Sequence, residues 1–207
     1  KVSLHAIFAA IEKQAFAEAA ELCLDRFEKR GEFWLYAARV GAELLLRLEK
    51  FNDAQKLYEA VIAAKTLPWA RLGVARAQIE AGQVTQAGTT LEGLINAEPG
   101  YADAYDVMGR AQIEMGQFDS AMVSYKMAAD MTPASIGRLQ RLGMLAHYCG
   151  DPKMAEEMLS RAVRLGLDSK MFDAQSLVLL AFMRLASSDR KGLQRCQDDA
   201  RNMADRF

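Results

Sequence analysis

Apolar and polar positions follow the period of a helix along this chain, and the helical runs are broken at regular intervals by glycine or proline. Leu4 to Lys13 and Phe16 to Arg30 form the first pair of runs, with Phe16, Ala19, Ala20, Cys23 and Phe27 as the apolar stripe of the second. Another pair lies near 33–48 and 51–64, in which Phe51, Asn52, Asp53 and Ala54 mark the second helix and Tyr58 with Val61 or Ile62 forms its packing face. Three more pairs occupy roughly 68–101, 102–135 and 136–169. A last pair reads as Phe172 to Ala186 and Arg190 to Phe207, with Ser187-Ser188-Asp189 as turn and cap. The pattern predicts an all-α protein of about six helical hairpins, roughly twelve helices.

The hairpins are copies of one another. Gly82, Gly116 and Gly150 recur every 34 residues, as do Ala87, Ala121 and Ala155, and Leu91, Tyr125 and Leu159 share one phase. Pro99 and Pro133 are also 34 apart. Glycine after an apolar run supplies the positive φ that ends a helix, so these residues mark the turn inside each hairpin. The small Ala five residues later lets the second helix approach the first, and the larger residue one turn on fills the space between copies. Proline then closes the unit. A period of this length belongs to stacked repeats.

The early copies depart from the rule in readable ways. Glu49-Lys50 stands where a turn glycine is expected, at a cost of about 1 kcal/mol if that residue is left-handed. Lys13-Gln14-Ala15 likewise has no glycine, which makes 1–31 a degenerate first unit. Ala54 to Ala87 spans 33 residues, and the missing residue belongs in the turn before Pro68. Pro152 after Gly150-Asp151 fits the first helical position, with Asp151 as N-cap. The expected organisation is one solenoid over 1–207: a degenerate hairpin at 1–31, repeats at 32–67, 68–101, 102–135 and 136–169, and a capping hairpin at 170–207. Arg190, Lys191, Arg195, Asp198, Asp199, Arg201 and Asp205 give that last unit a wettable face.

This punctuation resembles the tetratricopeptide repeat family. The family's Leu-Gly step falls at Val74-Ala75, Met108-Gly109 and Leu142-Gly143, and its preceding large residue at Arg71, Tyr105 and Leu139. Arg71 departs from the pattern, and Leu167 stands where the last copy's proline would be. The resemblance implies a right-handed superhelical α-solenoid whose concave groove, lined by the first helix of each repeat, binds a protein or peptide. In that register the groove residues are Tyr36, Arg39, Glu43 and Arg47, then Trp69, Leu72, Arg76, Ile79 and Glu80. The next two units contribute Asp103, Asp106, Arg110, Ile113 and Glu114, then Gln140, Arg141, Met144, His147 and Tyr148. Tyr, Trp and Arg are the residue types that anchor protein interfaces. Arg39, Arg76, Arg110 and Arg141 form a ladder suited to carboxylates on a bound segment, unless Glu43, Glu80, Asp106 and Glu114 neutralise it. The clamp with which some members of the family grip heat-shock chaperone tails uses Asn at the sixth position. Val40, Gly73, Val107 and Arg141 stand there, so that clamp is excluded.

The phrases "LPWARLG" and "DAYD", within longer matching stretches, also look like the output region of bacterial response regulators that join a receiver domain to tetratricopeptide repeats. That likeness implies a receiver domain ahead of Lys1 and, for this chain, an effector role in two-component signalling. A chain that starts with Lys rather than Met fits a fragment of something longer. The alternative function is a constitutive scaffold or adaptor in assembly of an envelope, secretion or pilus complex. Self-association is left open.

Composition narrows the rest. Lys and Arg number 26 against 27 Asp and Glu, a formal charge of -1, so no basic field draws in nucleic acid or an anionic membrane. With 51% hydrophobic residues the chain can bury a core, but no apolar run is long enough for a membrane span. Three dispersed cysteines, Cys23, Cys149 and Cys196, form no CxxC pair, which points to a cytoplasmic setting and away from thiolate metal binding. Cys23 shares the phase of Leu91 and Tyr125 and reads as a small buried hydrophobe. Two isolated histidines, His5 and His147, and the absence of GxxxxGKS, GxSxG and HExxH motifs predict neither metal nor cofactor nor catalysis.

Overall fold

In the computed structural model, which describes residues 3–169 and 174–204, twelve helices follow one another and no strand occurs among the described residues. They are α1 (Leu4–Glu12), α2 (Phe16–Glu28), α3 (Trp34–Arg47), α4 (Phe51–Ala64), α5 (Pro68–Glu80) and α6 (Val84–Ala97). There follow α7 (Ala102–Glu114), α8 (Phe118–Met131), α9 (Ile136–Tyr148), α10 (Pro152–Ser169), α11 (Ala174–Ala186) and α12 (Arg190–Ala204). The fold is an all-α helical repeat. The expected start of α11 at Phe172, the expected end of α12 at Phe207, and Asp205 lie outside the described residues.

Every hairpin turn is closed by one left-handed residue. Gly82, Gly116 and Gly150 take φ of 76°, 74° and 80°. Gln14, Glu49 and Ser188 hold the same conformation at 58°, 59° and 58° without being glycine, and each carries the steric penalty of a Cβ there. The residue missing from the period is where tolerance is greatest. Three residues, 65–67, join α4 to α5, whereas four, 98–101 and 132–135, join the corresponding later helices. Asp151 caps α10 through a 3.0 Å bond from the Met154 amide, with Pro152 at the first helical position. Asp189 does the same for α12 by accepting from the Gly192 amide at 3.0 Å. Without a proline at 167, α10 runs straight through Gly166-Leu167 to Ser169.

The chain forms two compact units, 1–115 and 116–207, the division falling at the turn between α7 and α8. In the first, each helix from α1 to α7 packs on the next, and the first helices of successive hairpins also touch, α3 on α5 and α5 on α7. Its core has two clusters, one around Ile7, Cys23, Leu45, Tyr58 and Val61 and another around Leu72, Ile79, Leu91, Leu94 and Met108. In the second unit α8 to α12 pack in the same sequential way around Leu159, Val163, Leu177, Leu180 and Cys196, and α9 touches α11. Ala87, Ala121 and Ala155 are fully buried, which fits close approach of the paired helices.

Two packing details shape the first unit's surface. Tyr58, buried in the position that Leu91 fills one repeat later, presses its ring against α5 where residue 73 is glycine. A Cβ on Gly73 would stand 2.6 Å from the Tyr58 Cδ1 and nearer still to Cε1 and Cζ, so no other residue fits without moving the ring. Cys23 is fully buried, as its phase in the repeat predicts, and desolvation pushes its thiol up to about 11.

Candidate interaction face

The exposed side of the first helices in unit 1 carries two adjoining depressions. One, of about 280 Å³, is walled by Arg39 and Glu43 on α3, by Trp69, Leu72, Gly73 and Arg76 on α5, and by Asp103, Asp106 and Val107 on α7, with Tyr58 and Tyr101 at its edges. The other, of about 540 Å³, follows one face of α3. Trp69 is held edge-on to the Tyr58 ring at 6.2 Å, and the Arg39 guanidinium lies over the Trp69 ring at 5.5 Å. Tyr36, 45% exposed, leans on Phe8 of α1 at 6.3 Å. These rings are anchored against neighbours before any partner arrives, which lowers the entropy lost on contact.

The arginine ladder is largely committed to the protein itself. Arg76 reaches back one repeat and donates from Nη1 and Nη2 to the Oε1 and Oε2 of Glu43 at 2.6 and 3.1 Å. The Tyr58 hydroxyl donates to the same Oε1 at 3.0 Å. Arg110 makes the equivalent step to Glu80 at 2.8 Å and also meets Glu114 one turn along at 3.3 Å. Burial pulls the Arg76 guanidinium down, but hydrogen bonding and charge from Glu43 outweigh it and leave it raised. For Arg110 the hydrogen bond to Glu80 is the main cause of an upward shift. Desolvation, then the Glu43 charge and hydrogen bond, push the Tyr58 phenol well above its ordinary range. The forked Arg76–Glu43 pair and the single Arg110–Glu80 bond each tie one first helix to the next. Arg39 is different: among the described residues no carboxylate stands within ion-pair distance of it, and its contact is the Trp69 ring.

Unit 2 offers a face of another character. Met144 and Tyr148 on α9 are exposed, Tyr148 packing on Phe118 at 4.9 Å, and Val178, Phe182 and Leu185 form an exposed stripe on α11. Gln140 donates to the Ser176 hydroxyl at 2.8 Å, and Arg141 is exposed but engaged. His147 lines a depression of about 430 Å³ with Pro152, Lys153 and Glu156 of α10 and Met183 and Arg184 of α11. Arg184 pairs with Glu156 at 3.2 Å there. None of those companions of His147 belongs to the expected groove set.

Two expected groove residues are core instead. Leu72 and Ile79 are 9% and 3% exposed and pack with Leu91 and Met108. Helix α5 is surrounded by α3, α4, α6 and α7, so its apolar sector is far wider than a two-sided amphipathic reading allows. Leu72 only forms the floor of the Trp69 depression. Conversely, Tyr58 and Tyr101 border the site, although the repeat register does not place them in the groove. The signal for Tyr58 is a hydroxyl at a packing position: buried phenols find an acceptor, and Glu43 is the one in reach.

No group of three or more His, Cys, Asp or Glu that could hold a metal occurs among the described residues, and no described helix is long and apolar enough to cross a membrane. The tetratricopeptide repeat family matches residues 45–111 and again 102–135. Human superkiller complex protein 3 is 27% identical over 118 residues, which is 56% of this chain but only 8% of that protein. BtubC (BKLC) from P. vanneervenii has a similar fold, with a TM-score of 0.75 at 16% identity over 93% of this chain and 90% of that one. MamA 41-end from Desulfovibrio magneticus RS-1 gives 0.62 at 19% identity, over 78% and 92% of the two chains. The Cut9-Hcn1 structure gives 0.64 at 16% identity, over 92% and 36%. The 34-residue punctuation, the twelve helices and these matches together identify tetratricopeptide repeats in this chain, carried by residues 45–135.

Proposed function

We propose that this chain is a protein-binding module that holds a partner segment on the exposed side of its first helices, at Tyr36, Arg39 and Trp69 of unit 1. The observation that carries the reading is the aromatic and guanidinium lining of two adjoining depressions, held in place by Phe8, Tyr58 and Trp69 instead of by a ligand. Aromatic and arginine side chains held in place by packing are what interface hot spots are made of. Glu43, Arg76, Arg110 and Glu114 serve the site as struts, while Asp103, Asp106, Gln140, Arg141, Met144, His147 and Tyr148 remain proposed contacts on the same register. Tyr36→Ala and Trp69→Ala are the test. Each should cut partner retention in a pull-down at least tenfold with the helical circular dichroism unchanged; full retention by both would move the binding surface elsewhere.

On the finer scale the proposed role is the effector half of a two-component response regulator, on the strength of the "LPWARLG" and "DAYD" phrases. Phosphorylation of a receiver domain would then alter how this face is presented. A constitutive scaffold is the second reading, favoured by relatives whose names place them in a superkiller complex and a hetero-tetramer. Partner capture that changes with phosphorylation of the full-length protein supports the first role, and capture indifferent to it supports the second.

A further inference from the structure

The second depression of unit 1 lies along a single helix face made by Tyr36, Arg39, Val40, Glu43, Leu44 and Arg47. Glu43 stands one helical turn from Arg39 on one side and from Arg47 on the other, the spacing at which intrahelical ion pairs form. Neither pair exists. Both Glu43 oxygens are taken by Arg76 and by the Tyr58 hydroxyl. Among the described residues, neither Arg39 nor Arg47 has a carboxylate within ion-pair distance. The acidic groups of the adjoining depression, Asp103 and Asp106, line its α7 wall.

Both guanidiniums are nevertheless held. Arg39 lies over the Trp69 ring at 5.5 Å and Arg47 over the Phe16 ring at 4.1 Å. A guanidinium held over a ring spends none of its N–H donors on a carboxylate, and those donors are the part that matches one. Val40 is half-buried and Leu44 buried, and they give an apolar strip between the two cations beside Glu43, whose charge Arg76 offsets.

Resting on the protein-binding reading above, we propose that this face of α3 docks an extended acidic peptide in which two carboxylates flank one apolar side chain. The eight residue steps from Arg39 to Arg47 rise about 12 Å along the helix. An extended chain covers that in about four residues. Side chains alternate in an extended chain, so residues one, three and five share a side: acidic, apolar, acidic. The two carboxylates meet Arg39 and Arg47, and the apolar side chain lies on Val40 and Leu44 beside Tyr36.

The test uses a fluorescently labelled peptide Ser-Gly-Glu-Ser-Leu-Ser-Glu-Gly-Ser and its counterpart with both Glu replaced by Gln, titrated with the whole chain by anisotropy. The diglutamate peptide should bind at least tenfold tighter, and the advantage should shrink as salt is raised. Arg39→Gln and Arg47→Gln should each weaken it at least fivefold while binding of the diglutamine peptide and the helical circular dichroism are unchanged. Equal binding of the two peptides, no binding of either, or full affinity in the Arg39→Gln, Arg47→Gln double variant overturns the inference. If any of these holds while Trp69→Ala still abolishes partner capture, the protein-binding reading stands and only the acidic chemistry falls.

Discussion

Replacing Gly73 by Ala adds one methyl group at the point where the Tyr58 ring fills the space beside α5. The new Cβ would lie 2.6 Å from Tyr58 Cδ1, closer than real Cβ atoms come to a neighbour, and the ring is buried with nowhere to retreat. Overpacking of this kind costs about 1–3 kcal/mol. Displacing the ring also strains the 3.0 Å bond to Glu43, whose loss adds about 1 kcal/mol. Against this, alanine is favoured over glycine inside a helix by about 1 kcal/mol. The net expectation is a destabilisation of about 2 kcal/mol, measured as a shift of the urea midpoint. Gly93→Ala in α6, where no atom lies within 4 Å of the new Cβ, is the matched control and should stabilise by about 0.5–1 kcal/mol. Tyr58→Leu should rescue Gly73→Ala by at least half, since leucine already fills that place as Leu91. A Gly73→Ala protein as stable as its Gly93→Ala counterpart would refute the packing argument.

Other consequences can be checked directly. Glu49→Gly should stabilise by about 0.5–1 kcal/mol, because Glu49 holds φ 59° at the turn where later repeats use glycine; an unchanged urea midpoint would mean the left-handed turn costs nothing. Ala121→Leu should destabilise by about 1–3 kcal/mol by overfilling a fully buried helix contact, read from thermal melting. The Cys23 thiol is raised from 9.0 to about 11 by burial, so its contribution is fully present below pH 9.0 and lost as pH climbs toward 11. Stability should fall by about 2 kcal/mol across that window, and Cys23→Ala should flatten the fall, seen in urea midpoints taken at successive pH values. In thiol labelling of the folded chain, exposed Cys149 should react fast and buried Cys23 and Cys196 slowly.

The parts of this structure that follow from near neighbours can be read from the residues alone. Gly82, Gly116 and Gly150 sit at turns because a single backbone conformation demands them, and Asp151-Pro152 starts a helix for reasons contained in four residues. The shortened turn at 65–67 is legible from a broken period. What depends on stacking is not. Leu72 and Ile79 are core because α5 has four helical neighbours, a fact no helical wheel contains. The acidic partners of the arginines are visible as neutralising charges, yet the pairing of Arg76 with Glu43 and of Arg110 with Glu80 needs two repeats set side by side. The same pairing is what releases Arg39 and Arg47 from Glu43.

Partner binding on the first-helix side is the central claim, and site-specific photo-crosslinking tests it most directly. A photoreactive side chain placed at Tyr36 or Val107, on the two depressions, should join covalently to the captured partner, while one at Thr89, exposed on the second helix α6, should not. Crosslinks from Thr89 with none from Tyr36 or Val107 would contradict it.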